Sequence, residues 1–154
     1  MGFDAHRLVD GRPLVLGGVT VPFTHGLEGH SDGDALLHAV MDALLGAAGL
    51  GDIGDIFPSS DPRYKDADSR ELLQGVAGRL LHAGWRLGNL DATIIAQRPA
   101  MKPHLEAMRQ GIAGLLGVPA ERVNVKAKST DGLGALGAGE GIAAMAVAMV
   151  QEAE

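Results

Sequence analysis

Asp4 and His6 stand two residues apart in the stretch "GFDAHRL" (2–8). If that stretch is a strand, its period of two aims both side chains the same way, with Phe3 and Ala5 on the other face. A carboxylate beside an imidazole can hold Zn²⁺ or Mn²⁺; a surface Asp and His on an edge strand look the same. His38 lies in "HSDGDALLHAVMDALLG" (30–46), on an apolar helix, one turn after Asp34. It reads as a third ligand, completing the three-protein-ligand pattern of a catalytic metal, with Asp34 behind it fixing the imidazole tautomer. It also reads as a half-buried histidine satisfied by Asp34.

Three further stretches suit phosphates or sugar hydroxyls. His30 and Ser31 precede a helix whose free N–H groups and dipole favour an anion, although Ser31 and Asp32 are also ordinary caps. "GDIGDIFPSSD" (51–61) carries acidic and hydroxyl groups on a Gly-flanked loop, fit for hydroxyls or for Mg²⁺ bridging phosphates, or simply for solvent. "KAKSTDG" (126–132) ends a strand with Lys, Ser and Thr, which suits phosphate contact or a plain strand-to-turn transition.

The elements that must position these groups follow from pattern. Residues 2–8 read as a strand, and "PLVLGGVTVPF" (13–23) as a hairpin about Gly17-Gly18. A helix is expected from about 33 to 48, N-capped by Ser31 or Asp32 and ended by Gly49 and Gly51. Its stripe is Leu37, Val40, Met41, Leu44 and Leu45. Residues 49–67 read as a loop, 68–84 and 103–116 as helices, and 85–97, 122–129 and 142–150 as strands, with a Gly-rich turn at 130–141. The mixed order predicts a single-domain α+β fold with helices on one face of a mixed sheet. The last strand is apolar on both faces, so its second face calls for a cover, and another subunit is the candidate.

Composition narrows the chemistry. The chain has 154 residues, which suits one domain. Its formal net charge of −6 argues against nucleic acid as partner. With no Cys, disulfides and thiolate metal sites are excluded, and any metal must use His, Asp or Glu. No apolar run is long enough to span a membrane, so no membrane partner is expected. No signal-peptide pattern is present, and the expected location is cytoplasmic.

Taken together and in this order, "GFDAHRL", "GGVTVPF", "HSDGDALLHAVMDALLGAAGLGDIGDIFPSSDPRYKDADS", "LGNLDATIIAQRPAMKPH", "VNVKAKSTDGLG" and "GEGIAA" resemble the 2-C-methyl-D-erythritol 2,4-cyclodiphosphate synthases of the non-mevalonate isoprenoid pathway. The resemblance covers essentially the whole chain, 1–154, as one synthase domain. It implies a homotrimer with active sites at subunit interfaces. It implies cyclisation of 4-diphosphocytidyl-2-C-methyl-D-erythritol 2-phosphate with release of CMP, a phosphorus–oxygen lyase reaction. Asp4, His6 and His38 match the ligands of one Zn²⁺ (or Mn²⁺ or Co²⁺) per subunit, and Mg²⁺ or Mn²⁺ accompanies the substrate diphosphate. His30 and Ser129 match catalytic positions that align the transferring phosphoryl group. Asp4, Ala5, His6, His30, Ser31, Asp52, Ile53, Gly54, Phe57, Pro58, Ser59, Ser60 and Asp61 match the pocket for the erythritol and its 2-phosphate. Ala96, Gln97, Arg98, Pro99, Ala100, Met101 and Lys102, with Lys128, Ser129, Thr130 and Asp131, match the cytidine pocket.

The chain departs from the family pattern in four places. It begins at "MGFD", with little ahead of the ligand-bearing strand. Ser129 replaces a usual Thr and keeps the hydroxyl. "FPSSD" replaces "FPDTD", so Ser59 stands for an acidic residue. "GLGALGAGEG" puts Ala135 and Ala138 where the family commonly has an aromatic and an arginine, which implies an axial channel lacking an anion site. Two other readings of the same ligands are a metal-dependent phosphohydrolase acting on a nucleoside diphosphate derivative and a catalytically inactive trimeric binding protein.

Overall fold

A computed structural model describes residues 1–154. In chain order it comprises β1 (Gly2–Asp10), β2 (Leu14–Leu16), β3 (Val19–Val21), β4 (His25–Leu27), α1 (Ala35–Ala47), α2 (Ile53–Ile56), α3 (Ser69–His82), β5 (Trp85–Ile95), α4 (Leu105–Leu116), β6 (Val123–Lys128), α5 (Gly134–Gly137) and β7 (Gly141–Glu152). The expected α+β order holds, with three additions, one of them the single-turn α5 inside the expected Gly-rich turn at 130–141. β4 has only three residues, too few for a visible period. The expected loop at 49–67 contains the single-turn α2 and a 3₁₀ turn at Pro62–Tyr64.

Five strands form one mixed sheet in the order β4-β1-β7-β5-β6. Only β5 and β6 are parallel, and α4 makes the crossover that a parallel pair requires. β1 is paired with β7 from its first residue, Gly2 opposite Ala146 and Arg7 opposite Gly141, so its ligand-bearing part is held along its length. Alternation works as expected: Gly2 is buried and Asp4 and His6 are half-buried, while Phe3, Ala5 and Arg7 are exposed.

α1 lies against the inner face of β1 and β7, α3 packs beside it, and α4 packs against α3 and β6. Ten of its thirteen residues are buried, which marks a helix covered nearly all round. Small residues allow the close packing. The inward face of β7 carries Ala144, Ala146 and Ala148. A side chain at Gly2 would collide with the Ala39 carbonyl oxygen and come within 2.7 Å of the Ala43 nitrogen. Gly2 thus sets how near the strand bearing Asp4 and His6 comes to the helix bearing His38. Leu36, Leu37, Met41, Leu44, Leu45, Leu90, Ile94 and Met108 are fully buried at the centre of the core.

The β2–β3 hairpin is separate from the main sheet and closes through Gly17 and Gly18, whose φ values of +61° and +73° suit a two-residue turn. Its two turn N–H groups are bound by Asp34, which leads to a correction. The N-cap of α1 is Asp34, not Ser31 or Asp32: its carboxylate accepts from Leu37 N at 2.9 Å. Ser31 and Asp32 have other partners, described below.

The outer sheet face has no helix on it. Phe3, Met145, Val147 and Met149 form a cross-strand apolar row there, with Val147 and Met149 57% and 67% exposed. No helix is long and apolar enough to cross a membrane.

Candidate active site

β1 and α1 bring three side chains to one point. Asp4 Oδ2 lies 2.6 Å from His6 Nε2 and 2.9 Å from His38 Nδ1, and the two imidazole nitrogens are 3.3 Å apart. The partners behind the rings decide which nitrogens carry protons. His6 Nδ1–H donates to the Glu28 carbonyl at 2.7 Å, because a carbonyl only accepts. That leaves the His6 Nε2 lone pair pointing inward. His38 Nε2 faces the hydroxyls of Ser69 at 3.0 Å and Ser31 at 3.1 Å. Ser69 donates its own proton to Asp32 Oδ1 at 2.5 Å, so toward His38 it is an acceptor. Ser69 therefore favours a proton on His38 Nε2, the tautomer in which the Nδ1 lone pair points inward too. Converging at these distances, the three groups must share either protons or a cation, and one carboxylate with two neutral imidazoles suits a divalent transition metal. All three ligand atoms fall within 4.8 Å of one another.

Asp34 is not the partner of His38. Its Oδ1 accepts from Gly17 N at 2.9 Å as well as from Leu37 N, and its Oδ2 accepts from Gly18 N at 2.7 Å. The expectation that Asp34 fixes the imidazole tautomer is thus corrected. Asp34 is fully buried, and burial pushes its carboxyl up to about 6 against the pull of these three N–H groups. Burial also opposes ionisation of Asp4, but the facing imidazoles outweigh it and hold that carboxyl down at about 2. Burial disfavours charge on His6, and the Asp4 carboxylate overrides it, raising the imidazole above its ordinary value.

A cavity of about 270 Å³ opens over the triad. Of the expected pocket residues it gathers Asp4, His6, His30, Ser31, His38, Ile53, Gly54, Phe57 and Ser59. Tyr64 and Leu72 line it as well and had not been expected; an aromatic and a leucine in a loop and a helix carry no signal of a site. His30 Nε2–H donates to the Asp61 carbonyl at 3.0 Å, and the His30 carbonyl accepts from Asp66 N at 2.7 Å, so the 57–66 segment is tied to the start of the α1 motif. Arg12 donates to the carbonyls of Gly29 (3.0 Å) and Ser31 (2.8 Å) and secures the same stretch from the other side.

Ala5, Asp52, Pro58, Ser60 and Asp61 do not line this cavity. The Asp52 side chain caps α2 in a capping box with Asp55, and the Asp61 carboxylate is bound to Arg63. Asp42, which sequence reasoning passed over, accepts from Ile53 N at 2.8 Å and fastens α2 to α1. It lies four residues after His38, so the same helix face had advertised it.

The segments expected to hold cytidine meet at the ends of the parallel pair. Ile95 stands opposite Lys128, Ala96 N–H donates to the Lys128 carbonyl at 2.9 Å, and Gly132 N–H donates to Gln97 Oε1 at 3.1 Å. Ala96 and Met101 are buried, Gln97, Pro99 and Thr130 half-buried, and Arg98, Ala100, Lys102, Lys128, Ser129 and Asp131 exposed. Ser129 Oγ contacts only Asp131, and none of these residues lines the metal cavity. Ala138 borders a different cavity, together with Arg98 and His25.

A mixed sheet that presents an Asp-x-His strand to a histidine of the helix behind it, beneath a loop-walled cavity, defines a candidate divalent-metal centre on an α+β scaffold. Residues 1–151 match the model of the YgbB family, and the chain belongs to that family. It is 59% identical over 149 residues to the 2-C-methyl-D-erythritol 2,4-cyclodiphosphate synthase of Burkholderia thailandensis, a match covering 97% of this chain and 92% of the relative. Among solved structures it resembles the bifunctional IspDF of Campylobacter jejuni (TM-score 0.96, 42% identity), covering 99% of this chain and 42% of that one. It also resembles a CDP-bound 2C-methyl-D-erythritol-2,4-cyclodiphosphate synthase (TM-score 0.88, 37% identity), covering 97% of each chain.

Proposed function

We propose that this chain is a 2-C-methyl-D-erythritol 2,4-cyclodiphosphate synthase. In this reading a 2-phosphate oxygen attacks the β-phosphorus of 4-diphosphocytidyl-2-C-methyl-D-erythritol 2-phosphate. The new P–O bond closes the ring, the bond from the β-phosphorus to the α-phosphate bridging oxygen breaks, and CMP leaves. That makes it a phosphorus–oxygen lyase of the non-mevalonate pathway, working as a single domain over 1–154. The observation that carries the reading is the convergence of Asp4 with two imidazoles, each ring oriented from behind, beneath a cavity whose other walls carry hydroxyl and imidazole groups.

Asp4, His6 and His38 would hold Zn²⁺, Mn²⁺ or Co²⁺, which supplies Lewis-acid neutralisation of phosphate charge. Mg²⁺ or Mn²⁺ would come with the diphosphate. His30 and Ser31, at the cavity wall, orient the attacking phosphate, and Ile53, Gly54, Phe57 and Ser59 enclose the erythritol. Positioning and charge complementarity are the main contributions open to such a site.

Ser129 and the cytidine segments, largely at the surface and outside the cavity, fit a site completed by a neighbouring copy. The apolar row Phe3, Met145, Val147 and Met149 supports the same arrangement, because a patch of this kind marks an interface. A homotrimer closing around that sheet face is our assignment, with a channel that lacks an anion site at Ala138. Incubating the protein with the substrate and a divalent ion, followed by phosphorus NMR, tests the reading: CMP and a cyclic diphosphate are expected. CMP with an open-chain product indicates a phosphohydrolase, and no CMP release rejects catalysis.

A further inference from the structure

Behind His38 lies a relay that joins α1 to the first residue of α3. Ser69 is fully buried, 31 residues from His38 in sequence, and its hydroxyl is 3.0 Å from His38 Nε2. Asp32 grips Ser69 twice: Oδ1 accepts the hydroxyl at 2.5 Å and Oδ2 accepts the backbone N–H at 2.9 Å. Asp32 Oδ1 also accepts from Asp34 N at 3.1 Å. The Asp32 backbone N–H donates to the Ala67 carbonyl at 3.1 Å, which holds the chain entering α3 in place.

We infer that Ser69 and Asp32 are positioning residues that set the tautomer of His38 and hence the strength of the metal centre. The inference rests on the reading of Asp4, His6 and His38 as metal ligands. Two hydroxyls face His38 Nε2, and they are not equivalent. Ser31 Oγ has no carboxylate to take its proton and can donate or accept. Ser69 has its proton committed to an acceptor-only group, so it can only accept from Nε2. With Ser69 in place, an Nε2–H has an acceptor of its own, which offsets the pull of Asp4 Oδ2, 2.9 Å away, on a proton at Nδ1, and the Nδ1 lone pair is free for the ion. Without it, Ser31 can donate to Nε2, the proton moves to Nδ1, and the ligand atom is blocked. Groups that orient a metal-bound imidazole in this way change metal affinity by about 10- to 100-fold when removed. α3 thereby acts on a ligand that α1 carries, although no α3 side chain touches the ion's position.

Two measurements decide it. The first is the ¹⁵N tautomer of His38 in metal-free protein at alkaline pH. Because Asp4 Oδ2 competes for the proton at Nδ1, the native chain is expected to show more Nε2–H than Ser69→Ala, which shifts toward Nδ1–H. The second is Co²⁺ affinity, titrated into protein stripped by a chelator and checked for native circular dichroism. Ser69→Ala is expected to weaken binding about 10- to 100-fold, and Ser69→Thr, which keeps the hydroxyl, to recover it. Affinity in Ser69→Ala within about twofold of native overturns the inference, as does an equal loss in both variants, which would put packing rather than the hydroxyl at fault. If the native chain does not bind Co²⁺ at all, the metal reading fails, and the tautomer measurement still decides the relay.

Discussion

Asp34→Ala separates two roles that one buried carboxylate can play next to a histidine. The structure places Asp34 as a clamp, binding the turn of the β2–β3 hairpin and the first turn of α1. Losing the cap at Leu37 costs about 1 kcal/mol. Leaving Gly17 N–H and Gly18 N–H without a partner costs about 1–3 kcal/mol each. Against this, the substitution removes a buried charge. A carboxyl raised from 3.8 to about 6 opposes folding at neutral pH by about 3 kcal/mol. The balance is a net destabilisation of about 2 kcal/mol, read from urea denaturation at neutral pH. Because His38 Nε2 is bound by Ser69 and Ser31, the folded variant should keep Co²⁺ affinity within a few-fold of native. A tenfold loss of affinity with unchanged stability would refute this assignment and restore Asp34 as the group that orients His38.

His38→Ala removes the only helix-borne ligand and should abolish tight Co²⁺ binding while leaving the far-ultraviolet circular dichroism native; unchanged affinity would overturn the ligand set. If the proposed trimer closes on that face, Val147→Glu, which places a charge in the apolar row on the outer face of β7, should give monomers in analytical ultracentrifugation where the native chain sediments as a trimer. The metal-free protein should melt lower at pH 8 than at about pH 5, because His6 and Asp34 both have raised folded-state pKa values. Stability from such groups is complete below the unfolded pKa and is lost as pH rises through the folded one. The Asp4 contribution runs the other way, present above its ordinary 3.8 and lost only as pH falls through about 2, so it does not alter this window. Metal-bound protein should show the opposite trend between the same two pH values, since protons compete with the ion for His6 and His38; parallel melting curves with and without metal would argue against His6 as a ligand.

Much of this architecture was legible because it is periodic. Alternation in "GFDAHRL" put Asp4 and His6 on one side of β1, and pairing with β7 preserves that side. The glycine pair at 17–18 marked a two-residue hairpin, and the apolar stripe marked α1. β4 and α2 were not legible, because three or four residues cannot show a period; their form depends on partners such as β1 for β4 and Asp42 for α2. The outward row of β7 was legible as unbroken apolarity, and the structure adds that no helix of the same chain covers it.

The reading of Asp34 shows where a helical wheel stops applying. Residues four apart lie on one face only if both have helical backbone geometry. Asp34 is the N-cap, with φ −69° and ψ 87°, so its side chain turns back across the helix end toward Leu37 N–H and the hairpin instead of running along the face to His38. The position one turn behind His38 is thereby vacated, and the imidazole takes its partners from elsewhere in the chain, Ser31 seven residues away and Ser69 thirty-one away. Ser69 opens "SRELLQGVAG", where a serine at a helix start is fully explained by local capping tendencies. Its actual N-terminal cap is Asp68, which frees the Ser69 hydroxyl for the bond to Asp32. A local pattern thus accounts for such a residue while concealing its long-range contact. That is why the ligands of this site can be read from spacing, and the groups that orient His38 only from the fold.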